Sequence, residues 1–179
     1  MSHPLQAFFG KIRLFSNLDG DELNELLRAI KPVQLREDEL LFAESDPGDA
    51  AYVIESGSLE VYLERPDRQI VLAVLKPGAI LGEIALLDGL PRTANARAVE
   101  QTSLFRIDKH EFDFLRRNMR PAAFKVIRGI SVTVCERLRE TNAMIREVIE
   151  EERRNEENSE NEEQPISGLL GRLAFWRGK

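Results

Sequence analysis

The spacing of apolar residues predicts helices at the start of the chain. Residues 4–14 are rich in leucine and phenylalanine, which predicts a short helix with one apolar face. A second helix follows, in which Asp19 can cap the first N–H groups and Glu22 can complete a capping box. Pro32 is predicted to end it. The apolar stripe of this second helix consists of Leu23, Leu26, Leu27 and Ile30.

After Val33 the pattern changes to short apolar runs separated by turn residues. Many short strands at near-even spacing predict a mainly β domain with flanking helices, namely a double-stranded β-helix or jelly-roll barrel. The predicted strands are residues 33–35, 39–42, 51–56, 58–64, 69–75, 80–81, 95–98 and 102–107.

Helical spacing returns after the strands. Residues 109–117 predict a short helix with Phe112 and Leu115 inward, and Pro121 opens a long helix to about Glu152. A near-heptad seam, interrupted only by the polar Thr141, predicts a homodimer, because one barrel face cannot cover so much apolar surface. Packing on its own barrel is the alternative. The seam consists of Phe124, Ile127, Ile130, Val134, Leu138, Ile145 and Val148.

The end of the chain has two contrasting compositions. Residues 151–164 hold seven Glu, two Arg and no apolar residue, which is typical of a frayed helix end and a solvated linker. Residues 165–179 carry three positive charges and no acid. Their apolar residues share one helical face, which favours docking to a protein partner over a membrane surface or self-packing. These residues are Ile166, Leu169, Leu170, Leu173 and Trp176.

Five segments are therefore predicted: 1–32 helical, 33–120 barrel, 121–152 long helix, 153–164 acidic linker and 165–179 basic amphipathic tail. The formal net charge of −6 argues against a nucleic-acid partner. One cysteine, Cys135, excludes an intrachain disulfide and is predicted to be buried. No apolar run reaches the roughly 20 residues of a membrane span, and no signal peptide is visible, which predicts a cytoplasmic protein.

Residues 78–98 carry the candidate chemistry. Gly82 ends a strand and lets backbone N–H groups approach a ligand closely, and the helical turn after it can present N–H groups to an anion. Arg92 follows ten residues later with a guanidinium that suits a phosphate, and Thr93 adds a hydroxyl. Glu83 is an acceptor for a sugar hydroxyl. Together these groups favour a sugar-phosphate ligand.

This stretch resembles the phosphate-binding cassette of the cyclic-nucleotide-binding domain family: Gly-Glu-hydrophobic-Ala, a spacer, then Arg-Thr-Ala. The resemblance extends from about Leu14 to Leu138 and includes residues 48–57 and the turn at 76–78. It implies a jelly-roll fold and a bound cyclic nucleotide. The ligand-binding residues that it implies are Gly82, Glu83, Ile84, Ala85, Arg92, Thr93 and Ala94, with Leu81, Leu72 and Val61 as candidate apolar walls.

The resemblance also implies roles for these residues. Arg92 would bind the charged phosphate oxygens, and Glu83 would accept from the ribose 2′-hydroxyl. Gly82 and Ala85 would offer backbone approach and N–H donors, while Thr93 and Ala94 would complete the phosphate shell. The base would meet a lid between residues 132 and 139. Thr93 suits cAMP and cGMP alike, and cAMP is narrowly favoured.

The predicted function is that of a stand-alone sensor that binds cAMP, or less favourably cGMP, and signals to a protein partner. The alternative is an adaptor or scaffold with a degenerate site, whose tail docks to a larger assembly or membrane. Neither histidine lies in a metal-spaced cluster and no nucleophile–base pair stands out, so we expect no metal and no enzyme activity. Residues 153–179 are too few and too acidic for a winged helix-turn-helix, so DNA binding is not expected.

Overall fold

The computed structural model describes residues 4–159, with side chains as far as Arg154. The predicted tail at 165–179 lies outside the described residues. The described residues form five α-helices and eight strands, with a short 3-10 helix at Arg13–Phe15. The helices are α1 (Pro4–Phe9), α2 (Gly20–Leu27), α3 (Ala85–Asp88), α4 (Lys109–Arg117) and α5 (Pro121–Ser159). The strands are β1 (Ile30–Leu35), β2 (Leu40–Phe42), β3 (Ala50–Ser56), β4 (Leu59–Arg65), β5 (Arg68–Leu75), β6 (Ile80–Leu81), β7 (Asn95–Ala98) and β8 (Thr102–Asp108).

The strands form two four-stranded sheets, in the orders β1-β8-β3-β6 and β2-β7-β4-β5, and every pairing is antiparallel. This arrangement confirms the predicted mainly β jelly roll with flanking helices. All eight predicted strands are present, and their ends shift by at most three residues. The strand signal was strong because turn residues separate the apolar runs in this part of the chain.

The core has two parts, and β3 supplies both. Ala50, Tyr52 and Ile54 face the space between the sheets, whereas Ala51 and Val53 pack against the helices. Successive strand residues point to opposite faces, so a strand covered on both faces needs a continuous apolar run. On the helical side, a cluster of aromatic and aliphatic side chains joins the N-terminal helices, α3, α4 and α5 to the barrel.

The first helices differ from the prediction in where they end. The helix α1 ends at Phe9, and Leu14, the predicted end, lies in the 3-10 helix Arg13–Phe15. The capping box at Asp19 and Glu22 is present, but α2 ends at Leu27 and Arg28 is its C-cap residue. Ile30 begins β1 and pairs with Ile107, and Pro32 lies inside the same strand. The prediction that Pro32 ends the helix was therefore wrong. Proline is tolerated there because β1 lies at the edge of its sheet, where a strand residue without an N–H leaves no ladder bond unmade.

The long helix α5 begins at Pro121 as predicted and runs to Ser159, past the predicted end near Glu152. Its first part packs on the N-terminal segment, where Gly129 brings it close: a Cβ there would lie 2.6 Å from Leu14 Cδ1. Cys135 is exposed, so its predicted burial was wrong. It lies five residues after the buried Ile130, about 140° around the helix and away from the barrel.

Within residues 4–159, none of the helices is both long enough and apolar enough to cross a membrane.

Candidate functional site

A cavity of about 480 Å³ lies between strands β4 and β5, the segment from β6 to β7, and α5. All ten residues proposed from the sequence line it: Val61, Leu72, Leu81, Gly82, Glu83, Ile84, Ala85, Arg92, Thr93 and Ala94. Sequence reasoning missed several others, namely Phe42, Ala73, Leu75, Ile80, Asp88, Leu90, Pro91 and Arg137. Most of these are apolar residues of strands and turns whose inward direction only the folded barrel reveals.

Gly82 allows Arg92 to reach the cavity. Its φ angle is +69°, and a Cβ at this position would lie 2.3 Å from Arg92 Nη1 and 3.1 Å from the Ala50 carbonyl oxygen. An L side chain rarely adopts this φ and would also collide with the guanidinium. The sequence suggested that Gly82 gives a ligand close access to the backbone. In the structure, the group closest to that open space is the Arg92 side chain.

The helical turn α3 begins at Ala85, shortly after Gly82, as predicted. The Ala85 N–H donates to the Gly82 carbonyl at 3.2 Å, and the Leu86 N–H donates to the Glu83 carbonyl at 3.2 Å. These donors therefore begin the turn itself. A ligand could use the Ala85 N–H, the donor expected from the sequence, only by sharing or replacing its long bond.

Arg92 is the most unusual side chain of the site, because it is only 4% exposed and only one of its three guanidinium nitrogens has a hydrogen-bond partner. Its Nη2 donates to Asp49 Oδ1 at 3.3 Å, whereas Nε and Nη1 are buried without a hydrogen-bond partner. The guanidinium carbon lies 4.4 Å from the ring centroid of Phe42. Burying a charged donor without a partner costs free energy, so this guanidinium is suited to bind an anion.

Glu83 is the second buried charge of the cavity, with 5% of the residue exposed. Its Oε1 is paired with Arg137 Nη1 on α5. Arg137 falls within the stretch 132–139 that the resemblance assigns to a lid. The ion pair joins residues 54 positions apart in the chain, and no local spacing in the sequence could have revealed it.

A second layer of charges supports Arg92. Asp49 bridges Arg92 and Arg106, whose Nη2 donates to Asp49 Oδ2 at 2.8 Å, and Arg106 Nε donates to Asp108 Oδ1 at 2.5 Å. Burial alone would lower the pKa of Arg106, but hydrogen bonds to the two carboxylates outweigh it and raise that pKa. Burial raises the pKa of the Tyr52 hydroxyl, although its neighbour Arg106 opposes the shift. Arg106 therefore stays charged and holds Asp49 in place for Arg92.

The site offers a cation with two free donors, a buried carboxylate and apolar walls. Such a set suits an organic ligand that carries an anionic group and hydroxyls. The part of the chain that the structure describes contains no group of three or more His, Cys, Asp or Glu side chains that could hold a metal ion. The ligand roles of the individual residues stay predictions.

Comparison with known proteins agrees with this geometry. Residues 32–118 match the cyclic nucleotide-binding domain family. The cAMP-dependent protein kinase regulatory subunit of Emericella nidulans is 32% identical over 107 residues, which are 60% of this chain and 26% of that protein. The chain spans 26–47% of the length of the first curated relatives that it matches.

Solved structures give the same result. The N-terminal domain of a transcriptional regulator from Streptomyces coelicolor is 33% identical, with a TM-score of 0.64 over 77% of this chain and 94% of that one. The catabolite activator protein of Thermus thermophilus is 26% identical, with a TM-score of 0.70 over 90% of this chain and 79% of that one. Because the sequence match, the jelly roll and the glycine–arginine cassette coincide in residues 32–118, the chain belongs to the cyclic nucleotide-binding domain family.

Proposed function

We propose that this chain is a cyclic-nucleotide sensor that binds cAMP in preference to cGMP and signals to a protein partner through α5 and residues 165–179. The proposal rests on the buried and partly unpaired side chain of Arg92. Its guanidinium is buried in the cavity wall, and two of its three nitrogens lack a partner. A cyclic phosphate offers two charged exocyclic oxygens, which would satisfy both nitrogens with charge-assisted hydrogen bonds.

The opposite end of the cassette would bind the ribose. Glu83 would accept a hydrogen bond from the 2′-hydroxyl, and its present partner Arg137 would share or release it. Leu72, Val61 and Leu81 would contact the apolar faces of the nucleotide. Thr93 is exposed at the cavity edge, where its hydroxyl can reach either the phosphate or a base.

The preference for cAMP has weaker support than the site itself. The relative from Emericella nidulans is named a cAMP-dependent regulatory subunit, and the match includes the cassette. Thr93 by itself serves adenine and guanine nucleotides alike. Competition between the two nucleotides is therefore part of the first experiment.

A homodimer through α5 is proposed from the burial of its residues. Ile130 of the predicted seam is buried against the protein's own barrel, whereas several other apolar side chains of α5 are between 37% and 59% exposed. Four of these exposed residues are Phe124, Leu138, Ile145 and Ile149. The first three are separated by multiples of seven, and Cys135 and Ile149 are separated by two heptads in a second row. A second copy of the chain would cover both rows, with Cys135 facing its counterpart.

We further propose that the chain recognises its nucleotide without transforming it. The cavity contains groups suited to hold phosphate and ribose, and its two acids are already engaged, Glu83 by Arg137 and Asp88 by the Leu90 N–H. A basic segment at 165–179 would then present the signal to a protein partner. Contact of that segment with a membrane surface is the less favoured alternative.

Isothermal titration calorimetry tests the central proposal. The full chain is stripped of bound nucleotide, checked by mass spectrometry, and titrated with cAMP, cGMP and AMP. We expect binding of cAMP with a Kd of about 1–10 μM, weaker cGMP binding, and no heat with AMP, whose dianionic open phosphate has a different shape. The absence of heat with both cyclic nucleotides, on folded and empty protein, would favour the scaffold instead.

A further inference from the structure

Lys109 reaches from the start of α4 back to the cassette helix α3. Its Nζ donates to the Leu86 carbonyl at 3.4 Å and to Asp113 Oδ2 at 2.9 Å. Leu86 lies in α3, and Asp113 lies one turn further along α4. One side chain therefore bonds to both helices.

The hydrocarbon part of Lys109 adds a packing contact to these bonds. Gly89 ends α3 in the left-handed conformation, with a φ angle of +67°. A Cβ on Gly89 would lie 2.7 Å from Lys109 Cε and 3.4 Å from Lys109 Cδ. The lysine stem thus covers the glycine backbone, and the Lys109 side chain is only 23% exposed. The absence of a side chain at Gly89 is what lets the lysine cross the end of α3.

The charge of Lys109 suits this position. The last carbonyls of a helix lack intrahelical partners, and a cation near them is favourable. On the other side, Asp113 accepts hydrogen bonds from Lys109 and from Arg116 Nε, the latter at 3.1 Å. Burial would raise the pKa of Asp113, but these bonds outweigh it and lower that pKa. Asp113 therefore stays ionised and holds the lysine in place.

The backbone of Lys109 extends the connection to the phosphate end of the cavity. Its N–H donates to the Asp49 carbonyl at 2.8 Å, and the Asp49 carboxylate contacts Arg92. On the helical side, Leu86, Phe112 and Ile130 belong to one buried cluster, so α3, α4 and α5 share packing. Lys109 stands where these two sets of contacts meet.

We propose that Lys109 is a positioning residue that fastens the end of the cassette helix to α4. When a nucleotide draws α3 toward the phosphate, this link carries the displacement to α4 and, through the shared cluster, to α5. The second statement rests on the proposed function, whereas the fastening itself does not. Lys109 lies outside residues 78–98, the stretch that carries the cassette pattern.

Hydrogen–deuterium exchange on the nucleotide-free full chain tests the fastening. Lys109→Met keeps the stem and removes the ammonium group, Lys109→Arg keeps a cation, and Arg116→Met removes a bond to Asp113 that does not reach α3. In Lys109→Met, we expect the amides of residues 86–89 to exchange about threefold faster or more, with β3 and β8 unchanged. Lys109→Arg and Arg116→Met should exchange like the wild type. Wild-type exchange of 86–89 in Lys109→Met would overturn the fastening.

The same variants at saturating cAMP test the transmission. In the wild type, we expect cAMP to change the exchange of residues 132–148 on α5, and in Lys109→Met this change should fall to less than about half. An undiminished change in Lys109→Met would overturn transmission through Lys109. If the wild type binds neither cyclic nucleotide, the proposed function and the transmission both fail, while the nucleotide-free exchange still decides the fastening.

Discussion

Two buried charges line the cavity, and they are in opposite states. Arg92 has two buried nitrogens without a partner, whereas Glu83 is ion-paired with Arg137 of α5. The two unpaired nitrogens of Arg92 can bind an anion without breaking a hydrogen bond, because the long contact with Asp49 uses the third nitrogen. Glu83 must exchange or share its partner. The comparison indicates that Arg92 is the group ready to bind an anion, while Glu83 provides a direct ionic contact between the cavity and α5.

The largest effect is expected from Arg92→Ala. Without the guanidinium, a bound phosphate would be buried without its main partner, which by analogy with desolvated charge pairs costs about 2–5 kcal/mol of binding. Calorimetry with cAMP should show the loss, and thermal unfolding should show little destabilisation, since the free protein loses an under-satisfied charge. Arg97→Ala, on the neighbouring strand and paired with Glu60, is the matched control. Unchanged cAMP affinity in Arg92→Ala would contradict the phosphate assignment.

Gly82→Ala should act through the same guanidinium. The new Cβ would meet Arg92 Nη1 at 2.3 Å and displace it, so we expect cAMP binding at least about tenfold weaker, or about 1.4 kcal/mol. Gly78→Ala separates this collision from backbone strain, because Gly78 has a φ angle of +86° and nothing within 4 Å of its added Cβ. Equal losses in the two variants would mean that strain, and not the displacement of Arg92, sets the affinity.

Glu83→Gln tests the hydroxyl end. A hydrogen bond to a charged group contributes about 1.5–3 kcal/mol, and the amide retains part of it. We expect the wild type to bind cAMP more tightly than 2′-deoxy-cAMP, and Glu83→Gln to reduce that ratio about fivefold. Calorimetry with both ligands measures it. A discrimination that survives Glu83→Gln would place the 2′-hydroxyl elsewhere in the cavity.

Arg137→Met should change cAMP affinity less than the variants above and should act mainly on the stability of the nucleotide-free protein. It leaves the Glu83 carboxylate buried without its partner, so the nucleotide-free protein should lose roughly 1–3 kcal/mol of stability. Bound cAMP would supply a new donor to Glu83 and should raise Tm by more than it does in the wild type. Differential scanning fluorimetry with and without cAMP compares the two shifts. Arg139→Met, two residues along α5, is the control, since residue 139 is exposed and does not line the cavity.

The smallest effect is expected on the pH dependence of the free energy of unfolding, through Asp108, which pairs with Arg106. Burial would raise the pKa of Asp108, but hydrogen bonds from Lys31 and Arg106 outweigh it and hold the pKa below 3.8. A depressed folded pKa means that this stabilisation is present above about pH 4 and is lost as the pH falls through the folded value. Asp108→Asn should therefore show a shallower acid loss of stability than the wild type in urea titrations between about pH 5 and 2, while Asp67→Asn in the β4–β5 turn should not.

Most of the fold and the cassette could be predicted from the local sequence. Turn residues and alternating strands predicted all eight strands. The resemblance to the cassette implied seven residues that line the cavity, and Leu81, Leu72 and Val61 were candidate apolar walls that line it too. Two predictions failed where tertiary context overrides a local signal. Proline commonly ends a helix, but Pro32 lies in a strand at the edge of a sheet. Cys135 has apolar neighbours in the sequence but lies on a face of α5 that the barrel does not cover.

The amino-acid sequence by itself determined the elements, the family and the chemistry of the cassette, because helix and strand periodicities and the cassette spacing are properties of neighbouring residues. Only the tertiary structure decided which charges meet. Asp49 joins Arg92 to Arg106, Arg137 pairs with Glu83, and Lys109 reaches Leu86 across 23 to 57 positions of the chain. Such pairs depend on how the sheets and α5 fold back on one another, and no local periodicity encodes that distance.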